Sequence, residues 1–226
     1  MRGKLIVIEG TDCSGKQTQT ELLEKKLKEM AYNCIRIDFP RYDTPTGKIV
    51  GGPYLGKPEI CNSFFDEGAV NVDPKIACLY YAADRKYNIG IVKEYLEKGY
   101  FVILDRYITS NLAHQGSKIL DKDERFNMYQ WIDKLEYWLL DLPKPDMTIF
   151  LHMPYEYSLR LKSNRENLDE HEKSEKHLRH AEECYLELRG LYNWSYVNCI
   201  KDNDIRTIED INEEVLKLVV GSENNI

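Results

Sequence analysis

Between an apolar run at residues 5–9 and an amphipathic stretch at residues 16–30 the chain reads Gly10-Thr11-Asp12-Cys13-Ser14-Gly15-Lys16. No other segment narrows the possible folds so far. The G-x-x-x-x-G-K spacing, set after a strand and opening a helix, lets the backbone wrap a phosphate with its N–H groups turned inward. Lys16 adds a full positive charge, and the helix N-terminus a partial one. A plain glycine turn with an exposed lysine would require neither the spacing nor both flanking elements. Residues 10–18 are therefore expected to hold a nucleotide phosphate chain. Such cradles usually carry Ser or Thr after the lysine to help hold Mg²⁺, but here Gln17 stands there and Thr18 one place further on. Either the Gln17 amide oxygen or carboxylates with water would serve that metal.

The rest of the chain repeats the same alternation. Short, almost continuously apolar segments at 5–9, 33–39, 100–104, 147–151 and 196–200 read as strands covered on both faces. Helical patterns separate them at 16–30, 74–97, 122–140, 174–191 and 208–219. Asp73-Pro74 reads as an N-cap with proline in the first turn, and Asp121 with Glu124 fits a capping box. The pattern predicts an α/β fold, a three-layer arrangement with a central five-stranded parallel sheet flanked by helices. The chain reads as one domain, residues 1–226, without repeat or linker. Residues 40–72, rich in Pro, Gly and Tyr, read as a long functional loop. A segment dense in Arg, Lys, His and Glu around 160–180 reads as a mobile helical stretch, and residues 221–226 as a frayed tail.

Composition excludes several classes. A net charge of −7 argues against a general nucleic-acid or anionic-membrane binder. No run of eighteen apolar residues marks a membrane span. The six cysteines have neither CxxC nor zinc-ligand spacing, and in a chain long enough to build its own core they read as thiols of a reducing cytoplasm.

A second group of polar residues follows the third strand. Asp105-Arg106-Tyr107 sits where ligands bind in such sheets; an acid there can hold metal-bound water and an arginine can neutralise a transferring phosphoryl group. Ser110, Asn111, His114 and Gln115 follow within two turns and offer groups able to read a base edge. Phe39-Pro40-Arg41 closes the second strand, where Arg41 either forks onto a monophosphate or caps the loop. Tyr81 and Arg85, four apart on one helix, pair an aromatic face with a planar donor, a base-binding wall or simple packing with a snorkelling cation.

The P-loop GTDCSGK, then FPRY, LYYAADR and DRYITSNLAHQ in that order, resemble the thymidylate kinase family of P-loop nucleoside monophosphate kinases over nearly the whole chain. The resemblance implies a P-loop fold that carries the γ-phosphoryl group of ATP to dTMP, with ATP and Mg²⁺ required. Asp12 would contact the acceptor 3′-hydroxyl. Arg41 and Arg106 would bind the acceptor phosphate, Tyr81 would stack on thymine, Arg85 would reach its carbonyl and Asn111 its ring nitrogen. His114 stands where relatives often carry an aromatic that crowds the sugar 2′ position, and Gln115 lies near the base. Lys16, Asp12 and Arg106 are the expected catalytic core, and Asp12 and Asp105 the expected metal carboxylates. Cys13 and Ser14 supply no cation in the P-loop, so the catalytic arginine would come from a lid at about 155–180, with Arg160 and Arg165 as candidates and Lys162 behind them. The adenine pocket would lie around 201–206. Relatives are commonly homodimers packed through long helices, and the stretch 74–95 would supply that face. Residues 62–71 form a longer loop than many relatives have.

Two other readings compete. A related kinase would take another deoxynucleotide or a free deoxynucleoside; a nucleoside acceptor needs a carboxylate base, whereas Arg41 after strand two favours an acceptor already phosphorylated. A nucleotide-dependent switch would carry Ser or Thr after Lys16 and, for guanine, an N-K-x-D sequence; the chain has neither.

Overall fold

The computed structural model describes residues 2–162 and 174–221. Five strands, β1 (Lys4–Gly10), β2 (Cys34–Asp38), β3 (Phe101–Asp105), β4 (Met147–His152) and β5 (Ser195–Asn198), form one sheet in the order β2-β3-β1-β4-β5. Every pairing is parallel, with Ile8 opposite both Asp105 and Ile149. The switch in strand order on either side of β1 opens a crevice at the carboxyl ends of β1, β3 and β4, the usual place for a ligand in an open α/β sheet.

Helices α1 (Lys16–Glu29), α2 (Pro45–Ile49), α3 (Pro74–Glu97), α4 (Ile108–Gly116), α5 (Lys122–Asp133), α6 (Tyr155–Lys162), α7 (Glu175–Tyr192) and α8 (Ile208–Gly221) cover the sheet. The reason the strands read as unbroken apolar runs is visible in β1. Leu5 and Val7 face a core shared with α3, α4, α5 and α7, while Ile6 and Ile8 face another built on Leu23 and Leu27 of α1 and Ile211, Val215 and Val219 of α8. Alternating side chains thus reach opposite cores, and neither face tolerates a polar residue until Glu9. Both expected caps are present: Asp73 accepts from the N–H groups of Lys75 and Ile76, and Asp121 from those of Asp123 and Glu124.

Three sequence expectations need correction. The helix foreseen at 122–140 ends as α-helix at Asp133 and continues as a π-helical turn, Lys134–Leu139. Residues 40–72 are not one irregular loop: α2 runs into a second π turn, Val50–Tyr54, and Tyr54, Leu55, Ala69, Val72 and Ala77 close a small core of their own. The segment 62–71 folds back on that core, where the Tyr54 hydroxyl donates to the Ala69 carbonyl and Lys118 Nζ to the carbonyls of Ala69 and Val72. The last sheet strand stops at Asn198, and Ile200 begins a short antiparallel hairpin of β6 (Ile200–Lys201) and β7 (Asp204–Ile205).

The π turn at 134–139 carries Glu136, fully buried, against Arg85 of α3, itself 3% exposed. Arg85 donates from Nε at 2.5 Å and from Nη2 at 2.6 Å, a bidentate pair that satisfies both carboxylate oxygens. Removing one partner strands the other charge in the interior. Glu136→Ala is therefore expected to lower unfolding free energy by about 3–5 kcal/mol, and a double Glu136→Leu, Arg85→Met change by much less, both read by urea denaturation.

Candidate active site

The P-loop folds as its sequence demands. Cys13 and Gly15 both adopt positive φ, 62° and 79°, the left-handed turns from which an anion-binding nest is built. A side chain at Gly10 would place its first carbon 2.7 Å from the Leu151 carbonyl oxygen, so only glycine lets β1 pass β4 this closely. Thr11 Oγ1 donates to the Met153 carbonyl at 2.7 Å, tying the loop to the end of β4. Lys16 Nζ lies inside the cradle, donating to the carbonyls of Gly10 (3.0 Å) and Thr11 (2.8 Å). Burial, with the nearby charge of Arg106, lowers the Lys16 pKa to about 8 against the pull of Asp12, Asp105 and Glu9.

The second group gathers around a buried carboxylate that the sequence reading did not single out. Glu9 is fully buried at the end of β1. It accepts from the Tyr107 N–H at 2.9 Å, Thr109 Oγ1 at 2.6 Å, Ser110 Oγ at 2.7 Å and the Tyr185 hydroxyl at 3.1 Å. These bonds hold the start of α4 and one side of α7 against the P-loop strand. The available signal was a lone acid ending an apolar strand. Between Glu9 and the P-loop, Arg106 takes φ 65° and donates from Nη2 to Asp12 Oδ1 at 2.6 Å. Its Nη1 reaches Ser110 Oγ and His114 Nε2, each at 3.4 Å. Burial alone would raise the Asp12 pKa, but Arg106, with Lys16 behind it, outweighs it and holds the carboxyl well below the usual range. Burial raises the Asp105 pKa instead, only partly offset by Lys16 and Arg106.

All of this borders one cleft of about 340 Å³, the size of a ligand pocket. Asp12, Cys13, Gly15, Lys16, Gln17 and Thr18 line it from the P-loop, and Phe39, Pro40, Tyr81, Arg85, Asp105, Arg106, Ser110, Asn111, His114 and Gln115 from the other elements. Gly10, Thr11 and Ser14 frame the P-loop without lining the cleft. Asn111 and Gln115 are buried, yet among the described residues Asn111 Oδ1 and both amide atoms of Gln115 have no hydrogen-bond partner. Buried polar atoms without partners at a cleft wall point to a ligand that supplies them. Asn111 Nδ2 meanwhile donates to Glu136 Oε1, so the Arg85–Glu136 pair also fixes this amide.

Several expected residues stand elsewhere. Arg41 does not line the cleft; its Nη2 is 3.2 Å from Asp43 Oδ2, and its backbone N–H is held by buried Asp84. Lys57 and Tyr42, unforeseen, line the wall instead, the ammonium 4.9 Å from the Tyr42 ring centre. Nothing in the sequence around Lys57 distinguished it, because it follows a π turn that Ser63 folds back to close, its hydroxyl reaching the carbonyls of Pro53 and Tyr54. Of the two carboxylates expected at a metal, Asp105 faces the cleft, whereas an oxygen of Asp12 is committed to Arg106. Arg160 on α6 packs over Tyr157 rather than lining the cleft. Arg165 and the Lys162 side chain lie outside the described residues. Arg206, at the expected adenine side, is bound by Glu214 and the Asn198 carbonyl.

A parallel sheet with a phosphate cradle after β1, a cationic strand end after β3 and a base-sized cleft between them defines a P-loop phosphotransferase. The sequence profile of thymidylate kinase matches residues 8–211. A probable thymidylate kinase of Saccharolobus solfataricus is 31% identical, with 96% of each chain covered. The thymidylate kinase of Schizosaccharomyces pombe is 30% identical over 96% of this chain and 92% of its own. The structure of a Candida albicans thymidylate kinase, described as having broad substrate specificity and a novel structural element, superposes with a TM-score of 0.73 at 29% identity, covering 99% of this chain and 93% of that one. The chain belongs to the thymidylate kinase family.

Only the ammonium form of Lys16 attracts phosphate, so nucleotide affinity is expected to follow its charge. The free protein loses that charge as pH rises through about 8, while nucleotide phosphates are already fully ionised above about pH 7.5. ADP affinity measured by calorimetry is expected to fall by up to about tenfold per pH unit above that point. Lys16→Arg, charged throughout, should bind more weakly but with no slope from about pH 7.5 to 9.5.

Proposed function

We infer that the chain transfers the γ-phosphoryl group of ATP to dTMP, giving dTDP and ADP. The observation that carries this reading is the convergence of Lys16 and Arg106 on one cleft whose wall continues into the unsatisfied Oδ1 of Asn111 and the unsatisfied amide of Gln115. Two cations mark where two phosphate chains meet, and the amides mark where a base edge would be read. Tyr81 then stacks on the base, with Arg85 held in plane by Glu136 to reach its carbonyl. Ser110, His114, Phe39 and Pro40 close the sugar and phosphate side. Asp12 meets the 3′-hydroxyl while keeping Arg106 aimed at the acceptor phosphate, and Lys57 is a second cation within reach of that group. Arg41 joins only by leaving Asp43.

Little covalent chemistry is asked of the protein. The P-loop N–H groups and Lys16 hold the donor phosphates, Arg106 brings in the acceptor, and the acceptor phosphate dianion needs no base. Mg²⁺ is the natural companion of the donor. Among the described residues no three or more His, Cys, Asp or Glu gather as a metal cage, which suits an ion that takes one carboxylate, waters and substrate phosphates. Asp105 and Thr18 would hold it, and it would spread the charge of the donor phosphates. The lid arginine of this scheme is Arg160, on α6, or Arg165, which lies outside the described residues.

A homodimer in the cytoplasm completes the reading. Ile76, Leu79, Ala83 and Tyr87 form an exposed stripe along α3 at helical spacing, with Leu79 52% and Tyr87 63% exposed, a face suited to a second copy. All six thiols are free, as a reducing compartment favours. No described helix is long and apolar enough to cross a membrane.

Coupled ADP release against a panel of deoxynucleoside monophosphates and free deoxynucleosides tests the activity. Turnover should depend on dTMP, and Lys16→Ala or Arg106→Ala should cut it by about 10³-fold or more while the protein stays folded. ATP consumption indifferent to every acceptor would overturn the assignment. Leu79→Glu is expected to turn a dimer into a monomer by sedimentation analysis.

A further inference from the structure

Arg106 is not positioned by Asp12 alone. Its Nη1 approaches His114 Nε2 at 3.4 Å, His114 Nδ1 lies 3.2 Å from His177 Nε2, and His177 Nδ1 lies 3.2 Å from Ser117 Oγ. The Ser117 hydroxyl donates to the His114 carbonyl at 2.8 Å. A guanidinium can only donate, so His114 Nε2 must accept and its proton must sit on Nδ1. That proton goes to His177 Nε2, which leaves His177 protonated at Nδ1 and donating to Ser117. Every polarity in the chain is thereby fixed by its first member. Burial, with the charges of Arg106 and Lys16 against that of Asp12, lowers the His114 pKa to about 3, in keeping with a neutral ring.

His177 is 6% exposed and belongs to α7, whose first turn is capped by Ser174 accepting from the His177 N–H. We propose that His177 is a positioning residue for Arg106, acting through His114, so that the helix following the lid segment and the acceptor-side arginine are set by one hydrogen-bonded chain. The two imidazoles lie with ring centres 5.4 Å apart and planes inclined by 27°, and Tyr185 meets His114 edge-on at 5.9 Å. Tyr185 also donates to Glu9, so α7 supports the arginine through two of its side chains.

The proposal rests on Arg106 meeting the acceptor phosphate. Arg106→Ala tests that premise separately: a normal kcat/KM for dTMP in that variant would overturn the premise, whatever His177 does. His177→Ala is expected to lower kcat/KM for dTMP about tenfold while leaving KM for ATP within about twofold, since one hydrogen bond supporting a charged group is lost. His177→Gln, whose Oε1 replaces the accepting Nε2, should recover most of the loss. An unchanged kcat/KM for dTMP in His177→Ala, or equal losses for both substrates without recovery in His177→Gln, would overturn it. Independently of variant folding, ¹⁵N–¹H correlation spectra of the intact protein, with the His114 signals assigned by a His114→Gln comparison, should show His114 neutral with Nδ1 protonated. A proton on Nε2 would refute the chain.

Discussion

Glu9 is the fixed point of the site. A carboxylate with no exposure is costly to bury, and it is retained here because four donors surround it. The donors come from the turn after β3, from α4 and from α7, so a single acid at the end of the central strand sets the relative position of three elements. The parallel register helps, because Ile8 pairs with Asp105 and the next residue along each strand leads directly into the site. Arg106, squeezed between these bonds and the P-loop, adopts a left-handed backbone conformation rare for a side chain of its size. Strain of this kind persists only where neighbours over-determine it, and here the neighbours are Glu9, Asp12 and His114.

The layered fold was legible because it follows from periodicity. Both faces of β1 are buried, so its hydrophobicity is continuous, and α3 begins at Pro74 because Asp73 caps it. What the pattern could not carry were the π turns. Glu136 falls in a helix whose period changes at Lys134, and no local signal says that an acid there will turn inward to meet Arg85 fifty-one positions earlier. The site was legible to the same degree. Residues named from the strand ends and from the stretch that forms α4, among them Asp12, Asp105, Arg106, Asn111 and Gln115, line one cleft. The places of Arg41 and Lys57 were not legible, since Arg41 is held by Asp84 and Asp43 and Lys57 follows a π turn closed by Ser63, contacts that sequence spacing does not encode.

A chain of net charge −7 can nevertheless recruit two polyanions because its cleft cations are held in readiness by internal partners. The partners differ in how easily they yield. Arg85 is locked by two short bonds to Glu136, which fix its plane at the cleft wall. Lys16 rests on two carbonyl oxygens, neutral acceptors that a phosphate oxygen outcompetes. Arg106 is intermediate: Asp12 holds only Nη2, while Nη1 leans on the weaker acceptors Ser110 and His114. An incoming phosphate can therefore take the second nitrogen without breaking the ion pair. The guanidinium stays neutralised and oriented throughout, so most of the electrostatic cost of assembling the site is met during folding rather than at the moment of binding.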